Sequence, residues 1–194
     1  MDRVATVSRS TRETAVTVTV NLDGTGKSDV ATGLRFLDHL LDSLTRHSRM
    51  DVALHAEGDL DVDDHHTAED CALALGAAVD EALGEKRGIR RFADAHVPLD
   101  EAVARAVIDL SGRPFAHVDL DLRRERIGDT AAEMIPHVLS SFAMAGHLTL
   151  HVDVLRGIND HHRAEAAFKA VAVALRQAVA LDGHDEIPST KGNL

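Results

Sequence analysis

The residues with the most chemistry to offer form two short runs, His65-His66-Thr67-Ala68-Glu69 and His161-His162-Arg163-Ala164-Glu165. Each reads His-His-x-x-Glu. On a helix, positions three and four apart share a face, so Glu69 falls beside His65 and His66, and Glu165 beside His161 and His162. Two imidazoles and a carboxylate converging there suit Mn²⁺, Fe²⁺ or Zn²⁺, which accept mixed nitrogen and oxygen donors. One such run alone reads equally well as a solvated polar helix start. Two in corresponding places of one chain favour metal chemistry. The acids just upstream, Asp63-Asp64 and Asp160, read as helix caps or as carboxylates that orient the imidazoles. The His-Glu-x-x-His of zinc proteases does not occur, and the Glu-x-x-His order of di-iron bundles is reversed.

The two runs lie 161 − 65 = 96 residues apart, and Leu54-His55 and Leu150-His151 precede them at the same offset. Earlier, Val20-Asn21-Leu22-Asp23-Gly24 matches Ile108-Asp109-Leu110-Ser111-Gly112 at 108 − 20 = 88. The chain therefore reads as a tandem duplication, residues 1–90 and then 91–194, with its seam between Gly84 and Pro98. The change of 96 − 88 = 8 residues places one insertion within Leu122 to Gly128. His39 and His137 occupy matching places on the first helix of each half. Added to the two runs, they make six His and two Glu, four donors for each of two metals.

Periodicity outlines the elements that must position these donors. Alternation over Thr14 to Val20, Ala102 to Asp109 and Ala116 to Leu122 reads as strands, with Asp23-Gly24 and Ser111-Gly112 as turns. Phe36, Leu37, Leu40, Leu41 and Leu44 recur at helical spacing, as do Met134, Ile135, Val138, Leu139 and Phe142. Strands follow at Val52 to Ala56 and Leu148 to Val154. Long helices then begin with the His-His-x-x-Glu runs and continue as Ala72 to Leu83 and Ala166 to Val179. The order β-β-α-β-α, twice, predicts an α+β fold of packed sheet and helix layers forming one catalytic unit.

At 194 residues, 44% hydrophobic and 27% charged, the chain is long enough to bury a core without staples. The single cysteine, Cys71, excludes an intrachain disulfide and sits in an apolar run, so it reads as a buried thiol. A net charge of −11 argues against nucleic acid as a partner. With 3% aromatics and no Trp or Tyr, base-stacking platforms are not expected either. No segment reaches the roughly 18 to 20 apolar residues of a membrane helix, and no signal pattern opens the chain, so cytoplasmic residence is expected. Thirteen His stand out, imidazole being the commonest metal ligand.

Several motifs together resemble the imidazoleglycerol-phosphate dehydratases of histidine biosynthesis. They are Phe36-Leu37-Asp38-His39-Leu40-Leu41 with Arg46-His47, Asp63-Asp64-His65-His66-Thr67-Ala68-Glu69-Asp70, Gly88-Ile89-Arg90-Arg91-Phe92, Pro98-Leu99-Asp100-Glu101, Leu110-Ser111-Gly112-Arg113-Pro114, His161 to Lys169, and Pro188-Ser189-Thr190-Lys191-Gly192. The resemblance runs from about Arg9 to Gly192 in the family's order. It implies two mixed sheets packed around central helices, like the second domain of ribosomal protein S5. It also implies a homo-oligomer of twenty-four subunits, with two Mn²⁺ ions per site between subunits. One ion would take His39, His66, Glu69 and His162, and the other His65, His137, His161 and Glu165. The phosphatase fused ahead of the dehydratase in some members is expected to be absent, since nothing precedes Met1.

The implied reaction dehydrates imidazole glycerol phosphate to imidazole acetol phosphate. Its difficulty is that the hydrogen lost sits on a carbinol carbon with no adjacent carbonyl to acidify it. Metals on the ring nitrogens would favour an imidazolate whose electrons expel the hydroxyl, giving a diazafulvene with an acidic C–H and then an enol. The family pattern makes Glu13 the acid/base, with His65 and His161 in the catalytic set. Arg91, Arg113, Lys169, Ser189 and Lys191 would be phosphate contacts, and His47 would line the substrate. Without the resemblance, Glu13 reads as a strand-edge surface carboxylate and the cations as surface charges. His55, His96, His117, His147, His151 and His184 match no motif. Two rival classes are a metal store or sensor, which has no use for the cations, and a two-metal phosphate hydrolase, which would need more Asp ligands.

Overall fold

A computed structural model describes residues 3–194. Two four-stranded mixed sheets enclose four helices. The first sheet is built from β1 (Val4–Ser10), β2 (Thr14–Asn21), β3 (Ser28–Ala31) and β4 (Asp51–Gly58), in the order β1-β2-β4-β3. The second takes β5 (Phe92–Leu99), β6 (Ala102–Asp109), β7 (Phe115–Asp119) and β10 (Thr149–Arg156), in the matching order β5-β6-β10-β7. A small hairpin, β8 (Arg126–Ile127) and β9 (Thr130–Ala131), lies between β7 and the third helix. Among the described residues, no helix is long and apolar enough to cross a membrane. The α+β architecture with central helices agrees with the expectation.

In its sheet, each half carries one strand more than the order β-β-α-β-α, and in the first half the four-residue β3 is unmarked by alternation too. In β1 only Ala5 is buried, because the strand lies at a sheet edge. In β5 the buried inward residues are the small Ala93 and Ala95, and Pro98 interrupts the pattern between the partly buried Val97 and Leu99. Neither announces itself by hydrophobicity. β7 ends at Asp119, short of the expected Leu122.

The helices α1 (Arg35–Ser48), α2 (His65–Leu83), α3 (Met134–Ala145) and α4 (Asp160–Ala178) form the middle layer. α2 lies on β1, β2 and β4, and α4 on β5, β6 and β10. The shorter helices cross between halves: α1 packs on α4, and α3 on α2. Small residues allow these close crossings. A Cβ on Gly76 of α2 would come within 2.4 Å of the Phe142 carbonyl of α3. The inner face of β6 is Ala102, Ala104, Ala106 and Ile108, all buried under the alanine-rich α4. Larger side chains there would push α4 off the sheet.

Strand register corrects the spacing between halves. Val52 pairs opposite Val20, and Leu150 opposite Ile108, so β4 corresponds to β10 at 150 − 52 = 98 while β2 corresponds to β6 at 108 − 20 = 88. Ten residues are therefore gained before α3, and two are lost between β10, which is irregular at Val154/Arg156, and α4. One insertion of eight does not describe this. His39 and His137 stay in step at 137 − 39 = 98, whereas His55 corresponds to Asp153 and not to His151. The Leu-His match at 96 is a coincidence of two unrelated strand positions.

Candidate metal centre

The cross-packing of helices assembles two clusters, each with one donor helix from either half. His39 from α1 meets His161 and Glu165 from α4, and His137 from α3 meets His65 and Glu69 from α2. Within each trio the nearest donor atoms all lie within 4.8 Å of one another. His39 Nε2 and His161 Nε2 stand 3.0 and 3.2 Å from the same Glu165 oxygen. His137 Nε2 is 2.9 Å from Glu69 Oε1, and His65 Nε2 is 3.8 Å from Glu69 Oε2. Donors bound at about 2.1 Å to one cation lie about 3.0 Å apart at right angles and about 3.4 Å apart at tetrahedral angles. The observed separations bracket these values, so both trios fit a divalent metal.

Their surroundings differ. Phe36 packs against the His161 ring at 5.1 Å, and His39 lies 5.4 Å from the same ring. Lys169 Nζ holds the other Glu165 oxygen at 2.6 Å. Burial raises the Glu165 pKa, but the hydrogen bonds from Lys169 and His39 outweigh it and bring the carboxyl down to about 2. Glu69 is more open, with 35% of its side chain exposed against 13% for Glu165.

The second imidazole of each run lies outside its trio and points to another carboxylate. His66 Nδ1 faces Asp59 at 3.0 Å, with Glu13 Oε2 at 3.7 Å. His162 Nδ1 faces Glu101 at 2.7 Å. Each carboxylate accepts at Nδ1 and leaves Nε2 free as a donor to metal, the usual way a ligating imidazole is oriented. Glu101 also accepts from the Ile158 and Asn159 N–H groups, at 3.0 and 2.9 Å. Those backbone bonds and His162 hold its carboxyl down to about 2. Asp59 and Glu101 were missed in sequence, although one clue was present: Glu13 and Glu101 match at 101 − 13 = 88.

The upstream acids do not orient imidazoles. Asp63 accepts from the His65 N–H at 2.8 Å, and Asn159 Oδ1 from the His161 N–H at 2.9 Å, so these two cap the helices. Asp64 and Asp160 are buried and turned toward the chain between β7 and α3.

The expected phosphate contacts fall into two places. Arg91 makes a two-pronged pair with Asp109, at 2.7 and 3.2 Å, and stacks over Phe92. Its third nitrogen donates to the Pro188 carbonyl at 2.7 Å, which pins the segment carrying Ser189 and Lys191. Arg113 reaches the same Asp109 at 3.9 Å and is largely exposed. Lys169 instead sits with Glu165, beside His47. The His47 pKa is lowered, first by burial and then by the Lys169 charge. Cys71 is buried as expected, and desolvation pushes its thiol up to about 12.

Hydrogen bonds to Asp59 and Glu101 raise the pKa of His66 and His162 above the ordinary 6.5. Without metal, the stability from these pairs is therefore full below about 6.5 and is lost as pH rises through the raised folded value. Metal at Nε2 must displace a proton, so its effect runs the other way. Added Mn²⁺, as a probe of divalent-metal binding at these nitrogens, is expected to raise Tm by an amount that grows between about pH 6 and pH 8. A metal-induced shift that stays flat over that range would count against ligation by these imidazoles.

Fold and donors together define an α+β protein whose central helices present two His/Glu trios fit for a metal-dependent enzyme. The imidazoleglycerol-phosphate dehydratase family model matches residues 32–175. The curated dehydratase of Phaffia rhodozyma is 53% identical over 197 residues, covering 99% of this chain and 96% of that protein. That of Cereibacter sphaeroides is 53% identical over 194 residues, covering 99% and 100%. The Phytophthora nicotianae relative is 57% identical over 192 residues, which span 42% of its length. Among solved structures, the dehydratase of Pyrococcus furiosus superposes with a TM-score of 0.84 at 32% identity, over 97% of this chain and 100% of that one. The Staphylococcus aureus enzyme gives 0.83 at 31% identity, over 92% and 99%. The chain belongs to the imidazoleglycerol-phosphate dehydratase family, and it is a hydro-lyase of histidine biosynthesis.

Proposed function

We propose that this chain converts imidazole glycerol phosphate to imidazole acetol phosphate and water in the cytoplasm, using two Mn²⁺ ions per site. The observation that carries the reading is the pair of His/Glu trios with donor spacings of a divalent-metal site. When bound, the metals would supply Lewis-acid polarisation of the substrate's ring nitrogens and hold the ring in place. Glu13, on the turn before β2 with half its side chain exposed, would take the carbinol C–H proton at Oε2 and return it to the product carbon. Arg91, Arg113, Lys169, Ser189 and Lys191 would hold the phosphate, Arg91 by its planar fork. Asp109 already fixes that fork in one orientation. His47 would line the substrate beside Lys169.

We assign His39, His161 and Glu165 to one metal and His65, Glu69 and His137 to the other, which regroups the division that the resemblance implies, since the donors of each trio already lie within 4.8 Å of one another. His66 and His162 lie outside the trios, and a second copy of the chain would bring one of them to each metal as its fourth donor, in a homo-oligomer of twenty-four subunits. The like order and register of the two sheets support descent of the halves, 1–90 and 91–194, from one duplicated unit.

Metal-replete protein incubated with imidazole glycerol phosphate is expected to yield a carbonyl product without releasing phosphate, and to elute as a large assembly. Absence of the carbonyl product would overturn the activity, and release of inorganic phosphate would point to a hydrolase. Full activity in a monomeric fraction would overturn the shared site.

A further inference from the structure

The ten residues gained before α3 fall in a segment, 121–131, that reaches the start of every ligand-bearing helix. At one end, Asp160 in the first turn of α4 accepts from the Arg123 and Arg124 N–H groups, at 2.8 and 2.7 Å. Arg163, one turn further along α4, is buried and donates to the Asp121 carbonyl and carboxylate. At the other end, Asp64 at the start of α2 accepts from the Ala131 N–H and from Arg126. Between them, Asp129 accepts from the Arg35 and Phe36 N–H groups at 2.7 and 3.0 Å, closing the N-terminus of α1. Gly128, at φ +61, lies so close to Phe36 that a Cβ there would stand 3.2 Å from the Phe36 Cβ. The segment then runs directly into α3, which carries His137.

Asp64 and Asp160 occupy matching places, at 160 − 64 = 96, immediately before His65 and His161. Both are nearly inaccessible, at 6% and 3% exposure. A buried carboxylate is costly unless hydrogen-bonded, and each of these two places one oxygen, Oδ2, on the backbone of this single segment, while the buried Oδ1 of Asp160 has no hydrogen-bond partner. Ordinary helix capping does not account for them, because Asp63 and Asn159 take that role.

We infer that segment 121–131 is a positioning strap: through Asp64, Asp160 and Asp129 it sets the relative placement of α1, α2 and α4, and thereby the spacing of donors within both trios. This rests on the trios being metal sites. The cross-half helix contacts bring His39 to Glu165 and His137 to Glu69, and the strap fixes the longitudinal and rotational setting of each helix start. A displacement of about 1 Å there is enough to disturb a donor set.

The test uses full-length protein and MnCl₂ as the probe, with affinity read by titration calorimetry and fold by circular dichroism. Asp64→Asn and Asp160→Asn keep size and shape while weakening the acceptor. Gly128→Ala perturbs the strap where it meets Phe36 and touches no donor residue, so it reads the strap if an Asn variant does not fold. Each folded variant is expected to bind Mn²⁺ at least about tenfold more weakly, the size of effect seen for residues that support ligands from behind. An element that merely adds stability would lower Tm and leave the Mn²⁺ affinity within twofold of the parent, and that outcome overturns the strap. Failure of the parent itself to bind Mn²⁺ would instead overturn the metal reading.

Discussion

His161→Ala is expected to abolish dehydration, with loss of bound metal and of activity together. The side chain supplies a trio donor whose Nε2 lies 3.2 Å from Glu165, and the neighbouring imidazole, His162, is turned to Glu101 instead. At 42% side-chain exposure it contributes little to the core, so the fold should survive. Metal-assisted polarisation is worth several kcal/mol, so activity should fall by about a thousandfold or more. His65→Ala should behave alike through the other trio. Elemental analysis beside steady-state assay checks both, and a variant with full metal content would contradict the ligand assignment.

Glu13→Gln should separate proton transfer from metal binding. The amide keeps the side chain's size but cannot accept the substrate proton. A positioned general base contributes about 10²- to 10⁴-fold, and kcat should fall by that amount. Metal content and KM should stay near those of the parent, because Glu13 is half exposed and its Oε2 stands 3.7 Å from His66 Nδ1, beyond hydrogen-bond distance. A kcat within threefold of the parent would remove Glu13 from the reaction.

The helices were the most legible part of the chain. Leu37, Leu40 and Leu44 of α1, and Ile135, Val138 and Phe142 of α3, are all buried, because a helix that packs on one side writes its contact face at a fixed period. β1 and β5 were not legible, since an edge strand and an alanine-lined strand leave no strong alternation. The hairpin β8–β9 was hidden within a charged run whose hydrogen bonds reach residues far along the chain, Asp160 and Asp64 among them. The six trio residues were legible as donors from the two repeated runs together with His39 and His137. Which donors share a cluster did not follow, because that depends on α1 crossing to α4 and α3 to α2, a feature of packing that no local pattern encodes. Asp59 and Glu101 escaped for the same reason.

That crossing bears on ancestry. Each trio takes its lone histidine from one half of the chain and its His/Glu pair from the other. Under the duplication we propose, an ancestor of half this length carried every donor type but could not close a trio alone. It would have gathered them only by exchanging helices with a twin, so fusion of two copies would have made permanent a partnership that metal capture already required.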